Sequence, residues 1–157
     1  MRFLCDQMLT GLGRWLRVAG YDTIIIEASL DDAEIYVIAQ ADKRRLLTRD
    51  HHFLDMTGAS ETVCHLTSNS LTGCIHEVTA KLGVNWLYNP FSRCLVCNSV
   101  FSEATDPNLL ELVPEDVRKT AHHFSYCVPC EKLYWQGSHT ERMHQKLVDW
   151  ANCRKNF

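Results

Sequence analysis

Apolar positions in the first half of the chain switch repeatedly between two spacings. RFLC (2–5) is a mostly apolar run of strand length. LTGLGRWLRVAG (9–20) then places Leu9, Leu12, Leu16 and Ala19 along one helical face, with Gly20 as its stop. DTIII (22–26) is β-branched and reads as a central strand. DDAEIYVIAQA (31–41) predicts a helix with Ile35, Ile38 and Ala39 inward. RLLT (45–48) and TVCHLT (62–67) predict two further strands, and SLTGCIHEVTAKLG (70–83) a helix closed by Gly83. Strands alternating with helices specify an α/β fold, a mostly parallel sheet covered on both faces through right-handed crossovers.

The alternation stops near Tyr88. NPFSRC carries turn residues, so a boundary falls at residues 88–92, with one domain over 1–90 and a smaller one over 91–157. VPEDVRKTAHH (113–123) predicts an inserted helix or strand pair. SHTERMHQKLVDWANCRKNF predicts a final helix with Met143, Leu147 and Trp150 on one face.

Composition narrows the function classes. The 157 residues are 46% hydrophobic, enough for a real core, and carry a formal net charge of −3. Any nucleic-acid contact must therefore use a local basic patch or bound metal ions. No run approaches the roughly 20 apolar residues of a membrane span, and Asp6 interrupts the N-terminal apolar stretch that a signal peptide needs. A soluble, cytoplasmic protein with no membrane partner is expected.

The strands of a parallel sheet all end at one edge, where ligands bind. Asp6 directly follows RFLC, Asp50 follows RLLT by one residue, and Asp31 and Asp32 open the helix after DTIII. Three distant segments thus direct carboxylates toward one edge. Such a set repels itself and invites a cation, and oxygen ligands suit Mg²⁺ or Mn²⁺. Structural roles fit the same residues. Ser29 can cap a helix with Asp32 at the third position, or Asp31 can cap it with Glu34, and Asp50 can serve a plain turn. Asp22 begins its strand and belongs to the opposite edge. His51 and His52 read as loop residues outside the first shell of ligands.

Cys94, Cys97, Cys127 and Cys130 form two Cys-x-x-Cys pairs separated by 29 residues. Two such knuckles complete a tetrahedral, structural Zn²⁺ site with no open position, and iron fits the same ligands. Cys5, Cys64, Cys74 and Cys153 are scattered and read as small packed residues.

Arg14 and Arg17 lie three apart, off the apolar face of their helix, and Arg49 adjoins Asp50, so these three are the candidate phosphate contacts. Lys43, Arg44 and Arg45 precede their strand and so fall at the far edge. Arg93, Lys132, Arg142 and Lys146 are near or after the cysteine pairs. Tyr134 and Trp135 can stack on bases or pack beside the knuckle. His139 can reach toward the site or cap the last helix with Ser138.

The succession FLCDQMLTGLGRWLRVAGYDT, DDAEIYVIAQA, RLLTRD, RCLVCN and CVPCEKLYWQGSH resembles the Mut-seven C-terminal ribonuclease domain family, from Phe3 to about Met143. These are PIN-like domains with an added zinc ribbon. The resemblance implies a PIN-like three-layer domain, a small C-terminal ribbon and metal-dependent RNA cleavage. Its acidic positions map onto Asp6, Asp32 and Asp50 as ligands of Mg²⁺ or Mn²⁺. A fourth acid has no certain counterpart, Asp31 and Glu34 being nearest. RNA is then the expected partner, and the ribbon a contact surface for nucleic acid or protein. The alternatives are a DNA-directed nuclease, or a non-catalytic RNA- or protein-binding module that keeps the fold.

Overall fold

The computed structural model describes residues 1–26, 30–111, 113–120 and 123–153. Its first half is β1 (Arg2–Cys5), α1 (Thr10–Val18), β2 (Asp22–Ile25), α2 (Asp32–Ala41), β3 (Arg45–Thr48), α3 (Ala59–Thr62), β4 (Val63–His65) and α4 (Leu71–Leu82). Short 3-10 turns over Gln7–Leu9 and His51–Asp55 follow β1 and β3. The TVCHLT segment is shorter as a strand than its β-branched composition predicts. Thr62 closes the four-residue α3, and only Val63–His65 pair with β3.

The helix ends have local causes. The Asp31 carboxylate accepts from the Glu34 N–H while the Glu34 carboxylate accepts from the Asp31 N–H, a complete capping box. The alternative cap, Ser29, lies outside the described residues. Ser70 caps α4 through the Gly73 N–H, and Gly83 ends it in the left-handed region at φ 65°.

The four strands pair in parallel in the order β2-β1-β3-β4. Alternate side chains leave on opposite faces. Phe3, Cys5, Leu47 and Cys64 join Leu12 and Leu16 of α1 and Ile75 and Val78 of α4 in one apolar layer. Leu4, Leu46 and Val63 join Ile35, Tyr36 and Ala39 of α2, with Phe53 and Ala59, in the other. The result is the three-layer arrangement that the alternation predicts. From β1 the chain winds to β2 in one direction, then crosses back over β1 to β3 and continues to β4. The winding therefore reverses between β1 and β3, and the crevice outside their C-terminal ends is the place where such sheets bind ligands.

The second half contains β5 (Ser102–Glu103), α5 (Pro107–Glu111), α6 (Glu115–Thr120), β6 (Phe124–Cys127), β7 (Lys132–Trp135) and α7 (Ser138–Cys153). Of the segment at 113–123, residues Glu115–Thr120 form a helix, α6, and residues 121–122 lie outside the described residues. β5, β6 and β7 form an antiparallel sheet in that order. Leu147 of α7 is fully buried in the same layer as Leu12, Leu16 and Trp86, so the apolar core continues across the break at 88–92. Trp150 meets Trp15 edge-on at 4.7 Å and Trp86 at 5.2 Å between ring centroids. No helix among the described residues is long and apolar enough to cross a membrane.

Candidate active site and metal centre

The β1–β3 crevice carries two of the three expected acids. Asp6 leaves β1 as its N–H donates to the Leu47 carbonyl of β3 at 3.2 Å. That bond folds the residue over the sheet edge. The residue is only 8% exposed. Oδ2 accepts from the Arg49 N–H at 3.3 Å, whereas Oδ1 is buried with no hydrogen-bond partner. The backbone following β3 is thus tied directly to the carboxylate following β1. Asp50 is held next to it in the chain. Its N–H donates to the Thr48 hydroxyl at 2.9 Å, and its carboxylate caps the following 3-10 turn through the His52 N–H at 2.9 Å.

Asp32 stands in the first turn of α2, the helix that follows β2, where a carboxylate also suits the helix dipole. The two acids considered for a fourth ligand, Asp31 and Glu34, are committed to each other's backbone in the capping box. Asp6, Asp32 and Asp50 do not form a tight ligand cluster among the described residues. The compact group at this edge is instead Asp50 with His51 and His52, whose ligand atoms lie within 4.8 Å of one another. His52 Nδ1 is 3.3 Å from Asp50 Oδ1 and His51 Nδ1 is 3.9 Å away. Both histidines are exposed. Adjacent histidines after a strand read as loop residues, although the consecutive Asp-His-His is a visible signal for a ligand group.

Asp22 occupies the opposite edge, as its position at the start of β2 requires. Arg44 binds both its carboxylate oxygens at 2.8 and 3.2 Å, Arg2 adds a bond at 3.1 Å, and the Asn98 side-chain amide another at 2.8 Å. Burial pushes its carboxyl up, but these donors outweigh burial and hold it well below the usual carboxylate range. Two members of the basic run are thus structural, Arg44 on Asp22 and Arg45 on the Glu61 and Val63 carbonyls.

The four paired cysteines converge. Their sulfurs all lie within 4.8 Å of one another, with Cys97–Cys127 at 3.3 Å and Cys94–Cys130 at 3.9 Å. A tetrahedral Zn–S distance of about 2.3 Å requires sulfurs about 3.8 Å apart, so the donor set fits such an ion. Two hairpin turns present the thiols, and Asn98 and Glu131 take positive φ just after each knuckle. Burial acts to raise the Cys97 thiol, but hydrogen bonds from Ser99 bring it down to about 6. Burial, then the hydrogen bond to Cys97, push Cys127 up to about 12.

The sequence that builds this fold matches the family model described as the Mut7-C RNAse domain over residues 1–147. The chain belongs to the Mut7-C RNAse domain family. Comparisons with curated proteins and with solved structures gave no match. Membership in a ribonuclease-domain family points to a nuclease-like domain.

The three arginines expected to touch phosphate have three different settings in this Mut7-C chain. Arg14 is exposed on α1. Arg49 binds the Asn69 side-chain oxygen at 3.1 Å while its Nε is buried without a partner. Arg17 departs from the expectation. It is only 6% exposed and donates to the Thr23 carbonyl at 2.9 Å and to the Leu95 and Val96 carbonyls at 2.8 Å. Its guanidinium fastens the first cysteine knuckle onto the Mut7-C sheet domain and is not presented to a phosphate.

Proposed function

We propose that this chain is a ribonuclease that hydrolyses phosphodiester bonds of RNA at the β1–β3 crevice, with Mg²⁺ or Mn²⁺ held among Asp6, Asp32 and Asp50 partly through retained waters, which lets carboxylates that do not cluster tightly share one ion. The observation that carries this reading is the buried, unpartnered Oδ1 of Asp6. A charged oxygen removed from water without a donor is costly, and a cation is the natural compensation. Oxygen ligands on a parallel-sheet edge suit a hard divalent ion, which supplies charge neutralisation at a phosphate and a water of lowered pKa.

The chain's own residues prepare that chemistry. The Arg49 N–H fixes the Asp6 carboxylate, and the His52 N–H fixes that of Asp50. Each acid therefore enters the reaction with one oxygen already oriented. Arg49 and the neighbouring histidines bring positive charge and proton-carrying groups to the same edge. The cysteine cluster holds zinc in a closed, structural role.

The test uses purified protein incubated with single-stranded RNA and Mn²⁺, beside Asp6→Asn. The expected outcome is cleavage by the native chain, none by the variant, and unchanged circular dichroism. Mn²⁺ titration followed by calorimetry should show weakened binding in the same variant. Equal cleavage by both proteins rejects the assignment, and a DNA oligonucleotide of the same sequence distinguishes the DNA-directed alternative.

A further inference from the structure

Two grooves meet on the surface where α7 crosses the rest of the molecule. The first, about 470 Å³, is lined by Arg14 and Trp15 of α1, Leu95 of the knuckle, and His139, Arg142 and Lys146 of α7. The second, about 600 Å³, is bounded by Phe91, Phe101, Tyr134 and Trp135 beside the N-terminal end of α7. Leu95, His139 and Met143 line both, so the two grooves adjoin and together form one channel-like surface.

The charge in the first groove is notable for a chain of net charge −3. Arg14, Arg142 and Lys146 come from segments more than a hundred residues apart. None makes an ion pair among the described residues. Of the acids on α7, Asp149 is engaged by the Gln145 side-chain amide at 2.9 Å, and neither it nor Glu141, which precedes Arg142, forms an ion pair among the described residues. Lys146 lies 5.6 Å from the centroid of the Trp15 ring, a cation–π contact that leaves its charge free for an anion. The second groove supplies flat apolar surface instead. Trp135 is 38% exposed, and Phe101 and Tyr134, whose ring centroids lie 4.7 Å apart, also line the groove.

A cationic track opening into an aromatic pocket matches the chemistry of one polymer, a strand whose charged backbone and flat bases lie side by side. We infer that this channel binds single-stranded RNA, with phosphates along Arg14, Arg142 and Lys146 and a base stacked on Trp135. The inference rests on the ribonuclease reading for its choice of RNA and deepens it. Arg14 lies four residues into α1, about 6 Å along the helix from the end nearest Asp6. Of the three cations in the groove, Arg14 is the one carried by α1, the helix that follows Asp6. A duplex fits poorly because its bases are not free to enter the aromatic end.

The experiment measures fluorescence anisotropy of a labelled twelve-nucleotide single-stranded RNA with the full chain in EDTA-free buffer lacking divalent ions, so that binding is read apart from cleavage. The triple variant R14A/R142A/K146A should bind at least tenfold more weakly, and the slope of log affinity against log salt should fall by about 2, at roughly 0.7 per lost phosphate contact. Trp135→Ala should weaken binding about tenfold with the slope unchanged. An RNA duplex should bind less well than the single strand. Unchanged affinity and slope in the triple variant overturn the inference, as does polyglutamate binding equally well with no dependence on Trp135. Failure of the ribonuclease reading is separate. If native chain and Asp6→Asn bind alike through the channel but neither cleaves, the channel stands and the catalytic assignment falls.

Discussion

Arg17 shows what a helical pattern can and cannot say about one side chain. Its position three residues after Arg14 places both off the apolar stripe, and that much is legible in the sequence. What decides their roles is a loop nearly eighty residues later, whose Leu95 and Val96 carbonyls lie over position 17 and not over position 14. No local spacing encodes that approach. Arg17→Ala leaves three carbonyls without their donor and should cost about 3 kcal/mol in urea unfolding, whereas Arg14→Ala should be nearly neutral. The acids divide in the same way. The strand-end positions of Asp6 and Asp50 followed from the alternation, but the unpartnered oxygen of Asp6 depends on the exact path of the backbone. Glu77 carried no sequence signal. It accepts from the Thr67 and Ser68 N–H groups and from Lys81, and burial, which acts upward, is outweighed so that its carboxyl falls to about 2. An unfolded glutamate titrates near 4.3. Its contribution is therefore fully present above about pH 4.3 and is lost as pH falls toward 2. Glu77→Gln should flatten the stability curve across that window, measured by thermal melts from pH 2 to 6.

At the scale of elements, the helices were the most legible because their caps are local. The Asp31–Glu34 box and the Gly83 stop are both written within a few residues. β4 is shorter than TVCHLT predicts because β-branched composition does not reveal where pairing with β3 ends. The close seating of α1 on the sheet is also not legible from periodicity. Gly13 faces Ile25 and Cys5 so tightly that an added Cβ would come within 2.7 Å of the Ile25 side chain. Gly13→Ala should destabilise by about 1–3 kcal/mol, read by chemical denaturation. Gly20 is constrained twice, by φ of 95° and by the Asn89 carbonyl that a Cβ would strike. The two cysteine turns were plain from spacing alone. Elemental analysis should find one zinc per chain, and Cys97→Ser should lower that content and release α1's anchor at Leu95.

For the whole molecule, the chain returns to its beginning. Leu147 of α7 completes the layer that α1 and α4 start, so the last helix is part of the first half's core. Leu147→Ala should cost about 2–5 kcal/mol in global unfolding, in a single transition shared by the sheet and α7. The predicted apolar face of α7 was correct, but its receiving surface lay more than a hundred residues upstream and no spacing could name it. The four tryptophans of the chain are divided by this arrangement. Three indoles, of Trp15, Trp86 and Trp150, crowd together where α7 docks, while Trp135 stands apart beside the ribbon. The protein thus carries its own optical reporters. Undocking of the last helix would expose the crowded trio to water and shift its emission to longer wavelength, and a ligand seated on the solitary indole would lower its intensity, so that one unlabelled sample distinguishes the two events by wavelength against intensity.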